Sequence, residues 1–259
     1  MSKYDFLDDA FFSNLIDEGT DFIPLLSSED EEKVMGGNVP DILPILPIRN
    51  TVLFPGVVLP ITVGRDKSIK LIQEANKGTK IIGVIAQKDQ TVDEPDAKDL
   101  NSIGTVAQIL RLLKMPDGST TIIIQGKQRF KVNEIIEENP YIKAKVSLVA
   151  ENPTPKDQNF KALVDSIKDI ALRIITESPN IPTEASFALK NIESPSFLIN
   201  FIASNLPVEV AEKQKLLEEV NVVQRATSLL EKLSKELQML ELKNDIQTKV
   251  KLDLDRQQR

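Results

Sequence analysis

Apolar residues in the first half of the chain fall in short runs separated by turn residues. The runs are Ile42–Ile48, 57–63, Ile81–Ala86, 120–125, 130–136 and 142–149. Val, Ile and Leu dominate them, which suits half-buried strands. Residues 103–115 alternate loosely and predict a long, bent strand. Pro55-Gly56, Pro116-Asp-Gly-Ser119 and Asn139-Pro140 mark turns, because proline presets φ while glycine and the Asx residues accept tight backbone. Pro44, Pro47 and Pro60 interrupt the opening runs. A residue with no N–H places those strands at an edge or a bulge. Between them Ile69, Leu71, Ile72 and Ala75 form a short helical stripe, stopped by Asn76-Lys77-Gly78. Residues 88–99 are mostly charged and read as an exposed loop. The pattern predicts a small, partly closed β-barrel over 41–150, with Phe130 as a core anchor.

The period changes after the linker 151–155, Glu-Asn-Pro-Thr-Pro. Phe160, Leu163, Val164, Ile167, Ile170, Ala171, Ile174 and Ile175 recur at three and four, the spacing of one helix face. A short helix over 185–191 follows, with Thr183 as its cap. Ser194-Pro195 opens another, since serine caps and proline fits the first turn. Residues 156–220 therefore predict a small helical bundle. From Asn221, a good cap, no proline or glycine interrupts the chain to Arg259. A helix over 221–259 would measure on the order of 58 Å at about 1.5 Å per residue. Its packing seam is Leu229, Leu233, Leu237, Leu240, Ile246, Val250 and Leu254, and the outer half has no evident partner within the chain. The fold class is α+β.

Composition narrows the chemistry. Cysteine, histidine and tryptophan are absent. Disulfides are impossible, a zinc site would rest on carboxylates alone, and the commonest general base and best nucleophile are missing. There is no Gly-x-x-x-x-Gly-Lys-Ser/Thr phosphate loop and no Gly-x-Ser-x-Gly elbow. The reading is non-catalytic, with no catalytic, metal or cofactor residue in this chain. A Ser–Lys dyad stays open by composition, but nothing marks one serine. Formal net charge is −7, which argues against nucleic acid. Lys127, Arg129 and Lys131 would share one strand face, which keeps an RNA-binding barrel as an alternative. No apolar run is long enough to span a membrane and the first residues are acidic, so a soluble cytoplasmic protein is expected. Residues 1–40 read as an acidic, disordered tail, with Phe6, Leu7, Phe11, Phe12, Leu15 and Ile16 as a possible docking face. Leu53, Phe54 and Met115, each beside a turn, are the candidate contacts for other chains. The plainer reading of Leu53 and Phe54 is a plug at the barrel end.

The run 43–65 resembles the opening of the amino-terminal domain of Lon, the ATP-dependent AAA+ serine protease. The likeness continues at Gly104-Thr-Val-Ala107, at Gly126-Lys-Gln-Arg-Phe-Lys-Val132 and through the helical half, over roughly 41–259. It implies a PUA-like barrel, a helical bundle and a long helix leading to an ATPase domain absent here. It implies recognition of unfolded, damaged or short-lived regulatory proteins, and hexamer assembly in the parent. ATP, Mg and a Ser–Lys dyad belong to the parent on this resemblance, and no family catalytic residue has a counterpart here. A purely architectural, oligomerising module is the competing expectation.

Overall fold

The computed structural model describes residues 37–114, 119–178, 181 and 184–257, without the side chains of 184 and 251–257. The acidic segment 1–36, Met115, the predicted turn at 116–118 and Thr183 lie outside the described residues.

Among the described residues six strands form one sheet. They are β1 (Ile42–Ile48), β2 (Val58–Val63), β3 (Ile81–Ala86), β4 (Ile103–Lys114), β5 (Thr120–Glu137) and β6 (Lys143–Leu148). The order is β2-β5-β4-β3-β1-β6, and β6 pairs again with β5, so the sheet returns on itself. β2 pairs with β5 beside that ring. Only β1 and β3 run parallel. β5 replaces the two strands expected at 120–125 and 130–136. Its first part pairs with β2 and β4 and its last part with β6, with register shifts where it changes partner.

β1 lies between β3 and β6, which the prolines had argued against. The register explains how they are tolerated. Residues 42–44 pair with β6 and residues 45–48 with β3. Each half of β1 is thus an edge on one side, where a missing N–H costs little. Asn50 turns the chain with φ 61°, a left-handed conformation that Asn accepts.

The barrel core is Leu43, Ile45, Ile85, Val106, Phe130 and Ala144 with their neighbours. Phe130 is fully buried. A Cβ on Gly83 or Gly104 would stand 2.8 or 3.0 Å from its Cζ, so glycine at both positions makes room for the ring. α1 (Asp66–Lys77) turns Ser68, Leu71 and Ile72 inward.

The helices are α2 (Gln158–Glu177), α3 (Glu184–Asn191), α4 (Pro195–Asn205), α5 (Val210–Glu218) and α6 (Val222–Gln257). They do not form one bundle over 156–220. The chain divides into two units: Leu26–Thr154 with Glu193–Arg225, and Pro155–Ile192 with Ala226–Arg259. α4 and α5 therefore belong with the barrel. Ser194 caps α4 by accepting from Phe197 N, with Pro195 in the first turn. Asn221 Oδ1 accepts from Val223 N and Gln224 N at 3.0 and 3.2 Å and caps α6.

In the second unit, Asp157 caps α2, and Phe160, Val164, Ile167 and Ala171 are buried at four- and three-residue spacing. Lys168 Nζ donates to the carbonyls of Lys190 and Ile192, tying α2 to the end of α3. Arg173 meets Glu241 at 2.6 Å, and Asn244 donates to the Glu177 carbonyl. Leu229, Leu233 and Leu237 are buried and Leu240 is half-buried, as the seam predicts. Ile246 and Val250 are exposed, and the Leu254 side chain lies outside the described residues.

Candidate functional site

The Pro55-Gly56 turn is pressed onto the barrel. Gly56 takes φ 81°, its N–H donates to the Gly126 carbonyl at 2.9 Å, and Gly126 N donates to the Val57 carbonyl at 2.9 Å. A Cβ on Gly126 would stand 2.3 Å from the Phe54 carbonyl oxygen, so only glycine lets the backbones approach this closely. Thr105 Oγ1 donates to the Leu53 carbonyl at 2.6 Å, and Asn200 Nδ2 on α4 donates to the Pro55 carbonyl at 3.2 Å. With its carbonyls bonded on both sides, the turn directs Leu53 and Phe54 inward, where they are 1% and 0% exposed. They are core residues that plug the barrel end and offer no surface to other chains. Met115, the third candidate, is outside the described residues.

Apolar side chains remain outside elsewhere on this unit. β4, β5 and β2 make a three-stranded ribbon whose register aligns Arg111, Ile123 and Pro60 in one row and Leu113, Thr121 and Thr62 in another. The intervening row holds Leu112, Ile122 and Ile61, with Ile122 fully buried. Alternation therefore points the first two rows outward. Leu113 is 38% exposed, and Leu110, left without a cross-strand partner at a register shift, is 40% exposed. Thr62 and Thr121 hydroxyls meet at 3.2 Å across this face. The result is a mixed apolar and hydroxylated surface on a rigid sheet, suited to side chains of varied shape. The loose alternation at 103–115 was its visible sign in the sequence.

A second feature of the same unit is a cleft of about 180 Å³ whose lining includes Ile85, Leu100, Asn101, Ser102, Val132 and Ile135. Among the described residues no group of three or more His, Cys, Asp or Glu could hold a metal. No described helix is long and apolar enough to cross a membrane.

The basic triplet at 127–131 does not form a common outward face. Arg129 is 1% exposed, because a register shift in β5 turns it into the protein together with Phe130. Its Nε donates to the Leu217 carbonyl at 2.7 Å and its Nη2 to Asn200 Oδ1 at 3.3 Å, while Nη1 contacts Glu151. Glu151 also meets Arg225, which is fully buried, at 3.2 Å. Arg225 Nη1 donates to the Glu219 carbonyl at 2.8 Å. Burial, then the charge of Arg225, holds the Arg129 guanidinium well below its ordinary range. Burial pushes Arg225 down to about 10, opposed by Glu219. Glu151, Asn200 and Arg225 carried no sequence signal, since each stands in an ordinary polar context.

Residues 42–235 match the family model of the ATP-dependent protease La (LON) substrate-binding domain. The chain is 56% identical over 244 residues to a Lon protease of Flavobacterium johnsoniae, covering 94% of this chain and 30% of that protein. A Lon protease of Cytophaga hutchinsonii is 50% identical over 243 residues, covering 93% and 30%. The chain thus spans about 30% of the length of these relatives. Among solved structures, the N-terminal domain of Mycobacterium avium complex Lon protease aligns with TM-score 0.60 at 22% identity, over 74% of this chain and 98% of that one. A Lon N-terminal domain protein from Xanthomonas campestris aligns with TM-score 0.53 at 19% identity, over 73% and 96%. At these identities the structures show the shared fold.

Proposed function

Because the chain belongs to the family of the ATP-dependent protease La (Lon) substrate-binding domain, we propose that it captures unfolded polypeptide on the outward face of the β4–β5–β2 ribbon. The observation that carries this reading is the pair Leu110 and Leu113, left exposed on a sheet face that also holds Ile123 and Pro60. Apolar patches of about 300–600 Å² are typical of binding surfaces. At about 25 cal/mol per Å² such a patch attracts by roughly 8–15 kcal/mol gross, and association costs of about 4–15 kcal/mol offset most of it. One copy therefore binds weakly, and a hexamer gains avidity without new contacts. Weak, plural capture suits a module that must release its substrate. On this reading ATP, Mg, the ATPase and a Ser–Lys dyad lie in the remainder of a longer cytoplasmic protein, and this chain supplies recognition. Leu110→Ser with Leu113→Ser lowers affinity for reduced, carboxymethylated α-lactalbumin about tenfold, or about 1.4 kcal/mol, with an unchanged melting curve. Unchanged affinity refutes the assignment.

A second, architectural reading rests on α6. Met239, Leu242, Ile246 and Val250 are 63%, 54%, 53% and 53% exposed. Their spacing of three and four residues makes one helix face. Such a stripe packs against another helix when chains self-associate. Leu242→Glu with Ile246→Glu should shift sedimentation toward monomer while substrate affinity per chain is retained. An unaltered sedimentation profile removes this reading.

A further inference from the structure

The chain passes between its two units at Thr154/Pro155, at Ile192/Glu193 and at Arg225/Ala226. The buried arginine cluster stands at these passages, wholly inside the barrel unit. Glu151 lies three residues before the first. Asn200 lies on α4, the first helix after the second. Arg225 is the last residue before the third. The Arg129 guanidinium, held on β5, contacts Glu151 and Asn200 and takes the Leu217 carbonyl at the end of α5. Glu151 then bridges to Arg225 at 3.2 Å.

Two buried guanidinium groups share the carboxylate of Glu151, itself 28% exposed, and the Glu219 charge also acts on Arg225. Arg225 Nε and Nη2 find no hydrogen-bond acceptor among the described residues. A buried charge is costly to leave without its partner, so the arrangement holds only while Glu151 stays in place. An apolar packing residue at 151 or 225 would have fixed these segments with no such dependence.

We propose that Arg129, Glu151 and Arg225 form a clamp that fixes the exit and return points of the chain on the barrel unit as one linked set. The connector after β6 and the start of α6 are held by each other through Glu151, and both are held to β5 through Arg129. β5 also carries the outward ribbon, so the clamp and the surface named above share one strand. The clamp itself does not depend on what that surface binds. Loosening either connector loosens the other, which two independent packing contacts would not do.

Amide hydrogen exchange on the intact chain tests this. Two segments are followed, 149–154 and 219–225. Val149 N donates to the Arg129 carbonyl and Arg225 N to the Asn221 carbonyl, so both contain protected amides. Exchange in Ile82–Ala86 serves as the measure of global opening. In Arg225→Met, exchange at 149–154 rises about tenfold beyond any change at Ile82–Ala86. In Glu151→Gln the same excess appears at 219–225. Glu151→Asp retains the charge but shortens its reach, and it gives a smaller excess at both segments. If each substitution loosens only its own segment, or if the excess is absent in Glu151→Asp as well as Glu151→Gln, the clamp is refuted.

Discussion

Glu151→Gln lowers the free energy of unfolding by about 3 kcal/mol, read from the midpoint of a urea transition at constant slope. The size follows from what the substitution leaves behind. Arg129 and Arg225 are 1% and 0% exposed and share this carboxylate. The amide keeps the shape and part of the hydrogen bonding but removes the countercharge. Breaking a buried pair from one side costs about 3–5 kcal/mol, and the partial exposure of Glu151 places it at the low end. Replacing all three residues by methionine has the opposite character, because neither buried guanidinium then remains. That triple variant is expected within about 1 kcal/mol of the parent, or more stable. Arg225 adds a pH signature. Its folded value is lowered from the ordinary arginine value to about 10. The unfolded chain therefore holds this proton more tightly, and the group detracts from stability at every pH below about 10. The penalty is relieved as pH rises through the folded value toward the ordinary one, and the triple variant lacks that relief. A change under about 0.5 kcal/mol in Glu151→Gln would contradict the account of the cluster.

Phe130→Ala is the other large effect, at about 3–5 kcal/mol. The ring is fully buried among Ile45, Ile85, Val106 and Ala144, with Gly83 and Gly104 against it. Those glycines cannot grow into the space left behind. A Cβ on Gly104 already meets the Val84 carbonyl oxygen at 2.4 Å, and one on Gly83 meets Ile45 Cδ1 at 2.6 Å. The cavity therefore stays open, which puts the cost toward the upper end. Thermal and urea unfolding check it, and a loss below about 1.5 kcal/mol would show that the barrel collapses around the site.

The barrel was legible because its signals are local. Branched runs gave strands, Asn221 and Ser194 gave caps, and Phe130 stood out as an aromatic in a strand. Leu53 and Phe54 are buried, which agrees with the plainer plug reading and not with a contact role, and the sequence could not decide between the two because their surroundings come from far away in sequence. Thr105, Gly126 and Asn200 cover the turn from β4, β5 and α4. Arg129 was misplaced for a related reason: strict alternation would face it outward with Lys127 and Lys131, and a register shift in β5 breaks the alternation. The single bundle expected over 156–220 failed because helical period reports a buried face, not what it is buried against. α4 and α5 count with the barrel, whereas α2 and α3 count with most of α6. The seam of α6 is buried at Leu229, Leu233 and Leu237 and half-buried at Leu240, while Ile246 and Val250 on its outer half are exposed, in keeping with a stripe that has no evident partner within the chain.

The central claim is that unfolded polypeptide is held on the outward ribbon face. Benzoylphenylalanine placed at Thr62, an exposed residue of β2 on that face, tests it most directly against the same probe at Lys70, an exposed residue of α1. With reduced, carboxymethylated α-lactalbumin under illumination, the account predicts covalent adducts at Thr62 and few or none at Lys70. Equal adducts at both positions, or adducts at Lys70 alone, would contradict it.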